Sequence, residues 1–198
     1  KQDIFSKKKI NEKFKIKIWL LEKLVSNKVR NLEKIYKTLK NSKVYVNLPR
    51  CYSKIYQLLK KQNLKKIYIK IKGGKWNIGS NSLHHLYLLE WLTSDKIIKV
   101  KVFKKQLYAT KRKNYFDFYG NIIGYSYAGS KIDIINLKNS KKFIIEIFSG
   151  KNRWLINEHL GYLKKNDRFI IRNNFNFESK ITPTIVKTIK KSKLPLLN

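Results

Sequence analysis

Asp117-Phe118-Tyr119-Gly120-Asn121-Ile122-Ile123-Gly124-Tyr125-Ser126-Tyr127-Ala128-Gly129-Ser130 is the stretch on which the fold turns. Gly120-Asn121 can take the positive φ angles of a two-residue turn, so the run reads as a tight hairpin. One strand precedes Asp117 and a second covers Ile122–Tyr127. The second strand ends in Ala128-Gly129, where a missing side chain lets backbone approach a ligand closely.

Strands are expected on both sides of this run. Upstream, Ile98, Val100 and Val102 alternate with Lys99 and Lys101, the period of two that marks an extended chain. Downstream, Ile132–Leu137 and Phe143–Phe148 are rich in β-branched and aromatic residues. Gly150 then leads into a predicted helix, Arg153–Leu163, with Trp154, Leu155, His159, Leu160 and Leu163 turned inward. Phe169–Arg172 is a last short strand. Toward the N-terminus, Ile67, Ile69 and Ile71 alternate with Tyr68, Lys70 and Lys72 in a half-buried strand that Gly73-Gly74 breaks. Leu83–Leu92 and Tyr52–Gln62 read as helices and Lys43–Asn47 as a strand. Ile18, Leu21, Val25, Val29, Leu32, Tyr36 and Leu39 recur at steps of three and four, predicting one long helix. The expected fold class is α/β: a mixed sheet with a hairpin and packed helices in the C-terminal half, and a helix-rich N-terminal extension. Residues 1–95 form the extension, with a short strand–helix–strand unit; 96–178 form the sheet-rich domain; 179–198 form a basic tail.

Charge points to a partner. Forty-six Lys and Arg face twelve Asp and Glu, a formal net charge of +34. Packed into a compact body, such a chain repels itself unless a polyanion neutralises it. Nucleic acid is the expected counter-charge, because phosphate contacts release condensed counterions. A+T-rich coding explains Lys in place of Arg, but explains the scarcity of acids less well. With 42% apolar and 13% aromatic residues the chain can bury a core. A lone cysteine, Cys51, excludes an internal disulfide and a cysteine zinc cluster. No run approaches the length of a membrane span, and basic Lys1–Lys9 lacks the apolar stretch of a secretory signal. The absent initiator Met suggests a processed N-terminus.

Few residues suit chemistry. His84 and His85 are adjacent, so on a helix they point about 100° apart and do not chelate as an i, i+4 pair would. His159 stands alone. Gly73-Gly74-Lys75 lacks the spacing of a phosphate loop, and no helix is expected to start there. Asp117, Asp133 and Glu146 lie in successive strands and could mimic a two-metal carboxylate cluster. The stronger reading is turn capping by Asp117, with Asp133 and Glu146 facing surrounding Lys. No catalytic residue, metal or cofactor is assigned.

The stretch quoted first resembles the hairpin of the universal small-subunit ribosomal protein eleven family, whose pattern runs D-x-x-G-N-x-[IL]-x-[WY]-x-[ST]-A-G. Gly150-Lys151-Asn152-Arg153 resembles that family's glycine-rich turn before a helix, and Ile181-Thr182-Pro183-Thr184 its closing segment and basic tail. The resemblance covers about residues 96–193. It departs from the family in lacking a basic stretch and crossover helix after Ser130-Lys131, unless the N-terminal half covers that face. The resemblance implies a non-enzymatic structural constituent of an organellar small ribosomal subunit, on its platform near the messenger exit path. Implied rRNA contacts are Lys111, Arg112, Lys113, Asn121, Ser130, Lys131, Lys151, Arg153, Lys187, Lys190, Lys191 and Lys193. Implied partners are ribosomal RNA, neighbouring small-subunit proteins and, as an option, messenger RNA, with no membrane and no homo-oligomer. The implied location is the mitochondrial matrix, or a plastid-type organelle. Alternatives are another organellar ribosomal protein, such as large-subunit protein eighteen, and a metal-dependent RNA nuclease.

Overall fold

The quoted run is one continuous strand in the computed structural model, which describes residues 16–22, 28–111, 114–172, 181 and 183–187. The chain divides into two compact units, residues 1–48 with 187–198, and residues 49–186.

The first unit holds β1 (Ile18–Leu21), α1 (Val29–Leu39) and β2 (Lys43–Val46), with β1 and β2 paired in parallel from Ile18↔Lys43 to Leu21↔Val46. The single long helix expected from Ile18 to Leu39 is corrected here. Ile18-Trp19-Leu20-Leu21 is a dense aromatic and apolar run that suits a pleated surface better than one helical stripe. Only Ile35 and Leu39 of α1 are buried; Val29, Leu32 and Tyr36 face outward, and Val25 lies outside the described residues.

The second unit begins with a 3-10 turn, Pro49–Tyr52, followed by α2 (Lys54–Lys60), β3 (Tyr68–Gly73) and α3 (Ile78–Thr93). Seven strands follow: β4 (Ile97–Ala109), β5 (Phe116–Ser126), β6 (Lys131–Asn136), β7 (Ile144–Ser149), β8 (Asn152–Asn157), β9 (Tyr162–Lys165) and β10 (Arg168–Ile171). They form an eight-stranded sheet with β3, in the order β10-β9-β8-β7-β3-β6-β5-β4. β3 and β6 are parallel, and the other neighbours are antiparallel. The expected α/β class with a mixed sheet is present; a helix-rich extension is not. The residues expected to end the extension, β3 and α3, are the centre of the sheet unit.

Period two explains the core. Ile69 and Ile71 of β3, Ile132 and Ile134 of β6, Ile145 and Ile147 of β7, and Trp154 and Ile156 of β8 all turn to one face. α3 covers that face over β5 and β6 with Leu88, Leu89 and Leu92, and α2 adds Ile55, Tyr56 and Leu59. Each such side chain contributes about 1.5–3 kcal/mol by leaving water. α3 is therefore the layer that a crossover helix would supply, and it comes from the N-terminal half.

Two further expectations are overturned. Gly120-Asn121 is not a hairpin turn: β5 runs through it, and the turns lie at residues 110–115 and 127–130. Gly120 keeps a positive φ of 140° because it faces an irregularity between Lys104 and Gln106 of β4. Arg153–Leu163 is not a helix but β8, a turn and the start of β9. Gly150 (φ 54°) and Gly161 (φ 60°) shape the turns flanking β8. In the tail, Ile181 and residues 183–187 are helical, burying Ile181 and Ile185. Among the described residues no helix is long and apolar enough to cross a membrane.

Candidate functional site at the ends of the parallel strands

β3 and β6 end side by side at Gly73 and Asn136, which are register partners. In α/β sheets the carboxyl ends of parallel strands are where ligands are usually held. The sequence builds this end from glycine and aromatics. A Cβ on Gly74 would lie 2.1 Å from the Ser140 carbonyl oxygen, and one on Gly73 would lie 2.7 Å from Phe143 Cδ2. The two glycines thus admit the β6–β7 loop, which brings Phe143 onto Trp76 with ring centroids 5.0 Å apart.

Four rings meet there. Trp76 stands edge-on to His85 at 5.4 Å, and Phe143 lies 6.0 Å from both His85 and His159. α3 supplies the imidazoles. Asn77, in a left-handed conformation, turns the chain into that helix, and His84 and His85 fall on its buried side. A helix does start after Gly73-Gly74-Lys75, at Ile78, against expectation.

Polar groups surround the first turns of α3. Asp117 accepts hydrogen bonds from the amides of Gly79 (3.2 Å) and Phe118 (2.7 Å), placing negative charge at the positive end of the helix. Asn136 donates to the Phe118 carbonyl (2.7 Å) and the Tyr108 hydroxyl (3.1 Å). Tyr108 stacks on Tyr119 at 4.5 Å, and burial holds its phenol above the usual value. At this end of the sheet the Trp76 indole Nε1 and the Asn136 Oδ1 are buried without a hydrogen-bond partner among the described residues. One is a donor and one an acceptor, and both flank Gly73. An unmade hydrogen bond at a buried atom costs about 1–3 kcal/mol, so a ligand that supplied it would gain that amount. Asn136 carried no signal in the sequence. The pair Gly73-Gly74 followed by Trp76 did, as a place of close backbone approach.

The residues singled out for binding do not converge here. Lys111 and Lys151 are exposed in turns, and Lys187 is exposed at the end of the last helical stretch. Ser130 is buried, its Oγ accepting from the Ile67 amide at 3.2 Å. Asn121 donates to Asp133 (3.4 Å), and the Lys131 ammonium lies 5.3 Å over the Tyr68 ring. Arg153 is paired with Glu146 at 2.8 Å and with Asp167 at 3.5 Å. Arg112, Lys113, Lys190, Lys191 and Lys193 lie outside the described residues.

The carboxylate cluster of the nuclease alternative does not assemble. Asp117 caps α3, while Asp133 and Glu146 lie in the half-buried rows on the sheet's other face and are each engaged as above. Among the described residues no group of three or more His, Cys, Asp or Glu could hold a metal ion.

Cys51 is buried in the 3-10 turn, and burial pushes its thiol up to about 12. At pH 8 only about one thiol in ten thousand is then thiolate, the reactive form. The native protein is expected to react with iodoacetamide at least about a hundredfold more slowly than the urea-unfolded chain. Equal rates, followed by mass spectrometry, would show that Cys51 is accessible.

No family model matches the chain, and no curated protein is similar to it in sequence. Solved structures are similar in fold. The dehydrogenase MviM from Clostridium difficile has a TM-score of 0.65 at 14% identity, covering 98% of this chain and 69% of that one. UDP-N-acetylglucosamine 3-dehydrogenase GnnA from Acidithiobacillus ferrooxidans has a TM-score of 0.72 at 9% identity, with coverage of 98% and 67%. The transcriptional regulator Gal80p from Kluyveromyces lactis has a TM-score of 0.70 at 14% identity, covering 94% of this chain and 61% of that one. The chain thus spans about two thirds of each. The resemblance to ribosomal protein eleven is therefore corrected: its hairpin is a through-strand and its glycine turn opens β8, not a helix. The ribosomal function, the protein-eighteen and nuclease alternatives, and the rRNA, ribosomal-protein and messenger partners fall with it. The fold is one carried by dehydrogenases and by a transcriptional regulator.

Proposed function

We propose that the sheet unit is the ligand-binding part of a dehydrogenase-fold protein, taking an anionic, hydroxyl-bearing small molecule of the sugar-nucleotide class. The observation that carries this reading is the unspent pair at the strand ends, Trp76 Nε1 and Asn136 Oδ1, set beside His85. A sugar offers both the acceptor and the donor that these atoms lack. Lys75, Lys141 and Lys142 are exposed in the two segments that Gly74 brings together, where they can meet phosphate.

Dehydrogenation also needs an electron acceptor, and these residues do not fit a dinucleotide. Such a cofactor is cradled by a glycine-rich turn between strand and helix. Residues 1–72 contain no glycine, so the β1–α1 connection cannot supply one, and the Gly73-Gly74 turn before α3 is already filled by the Ser140 carbonyl and Phe143. Without an electron acceptor no dehydrogenation step balances, so His85 is read as a residue that shapes the pocket beside Trp76 rather than as a base. A second reading, a regulator that binds without turnover, is favoured by the complete burial of His85, at 0% exposure.

Calorimetry with UDP-N-acetylglucosamine tests the proposal. The parent protein is expected to bind, and Trp76→Phe to bind about tenfold more weakly through loss of one buried donor. Equal binding by parent and Trp76→Phe, or no binding by the parent, overturns it. Binding with the sugar nucleotide recovered unchanged, read by chromatography, selects the regulator; its conversion to a new product selects an enzyme.

A further inference from the structure

β4 is the edge of the sheet, pairs among the described residues with β5 alone, and is exposed from Ile98 through Leu107. Helix cover stops one strand short of it. Leu86 of α3 lies over Gly124 of β5, at 2.9 Å from where a Cβ would stand, whereas Val100 and Val102 stay half exposed among the described residues. Val100 and Val102 are register partners of Gly124 and Ile122, so they share the helix-side face, yet they remain 47% and 49% exposed. Lys99 and Lys101 pair with Tyr125 and Ile123 on the other face. From Lys99 to Val102 the edge therefore offers apolar side chains on one side and ammonium groups on the other.

The open face of the same sheet offers less. Its own side chains roof it: Tyr68 stacks on Phe148, Lys131 lies over Tyr68, Lys164 lies 4.4 Å over Phe169, and Arg153 pairs with Glu146. An edge strand is different, because its outer row of backbone groups is a template for another strand. Proteins blunt such edges against their own copies with Lys, and residues 97–109 carry four Lys and no acid. A second copy added at β4 would set Lys against Lys in a chain of net charge +34.

We infer that β4 receives an acidic, extended segment of another protein as a ninth strand. Its carboxylates lie opposite Lys99 and Lys101, and its alternate apolar side chains cover Val100 and Val102. Main-chain hydrogen bonds give the affinity, and the two-sided alternation gives the selectivity.

The test uses fluorescence anisotropy with two labelled peptides of identical composition, one alternating Glu and Val, the other with Glu and Val in separate blocks. At physiological ionic strength the alternating peptide is expected to bind about tenfold more tightly, since only it places both sets of side chains in cross-strand pairs. Lys99→Glu with Lys101→Glu is expected to lose that peptide and to gain one alternating Lys and Val. Circular dichroism matching the parent shows that the double variant is folded. Val100→Lys, a single exposed change, is expected to weaken the alternating peptide without altering the block peptide. Equal binding of the two parent complexes would mean attraction to negative charge alone, as for any polyanion, and overturns the inference. So does sedimentation showing that the parent dimerises through β4.

Discussion

Replacing Gly120 by alanine is expected to lower the unfolding free energy of the sheet unit by about 3 kcal/mol, read from urea denaturation. Two costs add. The residue has φ +140°, which L side chains rarely adopt, and holding alanine there costs about 1–3 kcal/mol. A Cβ would also stand 2.0 Å from the Phe103 carbonyl oxygen, so β4 must move away from β5 or lose pairing there. The irregularity between Lys104 and Gln106 has no slack to offer, because Tyr108 beyond it is held by Asn136 and Tyr119. Gly129→Ala is the control. Its φ is +89° but nothing lies within 4 Å of its Cβ, so only the backbone cost of about 1 kcal/mol remains. Equal stability losses in the two variants would show that the approach of Phe103 carries no energy.

Gly120 also shows where sequence reading succeeds and where it stops. A glycine with positive φ was legible, and the reading assigned it to a turn because Gly-Asn usually makes one. A glycine facing a bulge in the neighbouring strand can also take a positive φ, and only that strand distinguishes the two. The β4 irregularity is that partner, and it lies about fifteen residues upstream with no local signal. The stretch 153–163 failed for a related reason. Trp154, Leu155, Leu160 and Leu163 fit a period of 3.6 by coincidence, while Trp154, Ile156 and Leu163 are buried on two antiparallel strands. The strict alternations at Ile67–Ile71 and Ile132–Ile134 left no such choice, and those strands stand as expected.

Charge misled about function because it does not bear on fold. Some of the lysine is placed against the protein itself: the ammonium groups of Lys60, Lys131, Lys164 and Lys165 lie over Trp91, Tyr68, Phe169 and Trp154. A long apolar stem with a charged tip can cover an aromatic ring, a use that composition cannot reveal. The candidate site was half legible. His84, His85 and Gly73-Gly74 stand out in the sequence, but Asn136 and Tyr108 come to the site from strands whose register no local pattern fixes.

Glu158→Ala is expected to cost about 2–4 kcal/mol, the second large effect. The carboxylate, in the turn after β8, accepts from Arg50 Nε (2.8 Å) and Nη2 (3.0 Å) and from the Tyr56 hydroxyl (2.7 Å). It thereby ties the 3-10 turn and α2 to the far half of the sheet. Tyr56 is buried, and alanine would leave its hydroxyl without this acceptor while the guanidinium loses its counter-charge. Glu158→Gln keeps one acceptor oxygen and the shape, so its loss is expected to be smaller, about 1–2 kcal/mol. Burial first, and the neighbouring carboxylate second, raise the Tyr56 phenol well above its ordinary value. Because the folded value lies above the unfolded one, the neutral phenol's contribution is complete below about pH 10. It then declines as pH rises toward the folded value, since the unfolded chain releases the proton first. Alkaline unfolding of the parent should therefore begin above about pH 10, and Tyr56→Phe should flatten that limb while costing about 1 kcal/mol at neutral pH. If Glu158→Ala and Glu158→Gln unfold at the parent's urea midpoint, the carboxylate does not hold the two segments together, whatever the short distances suggest.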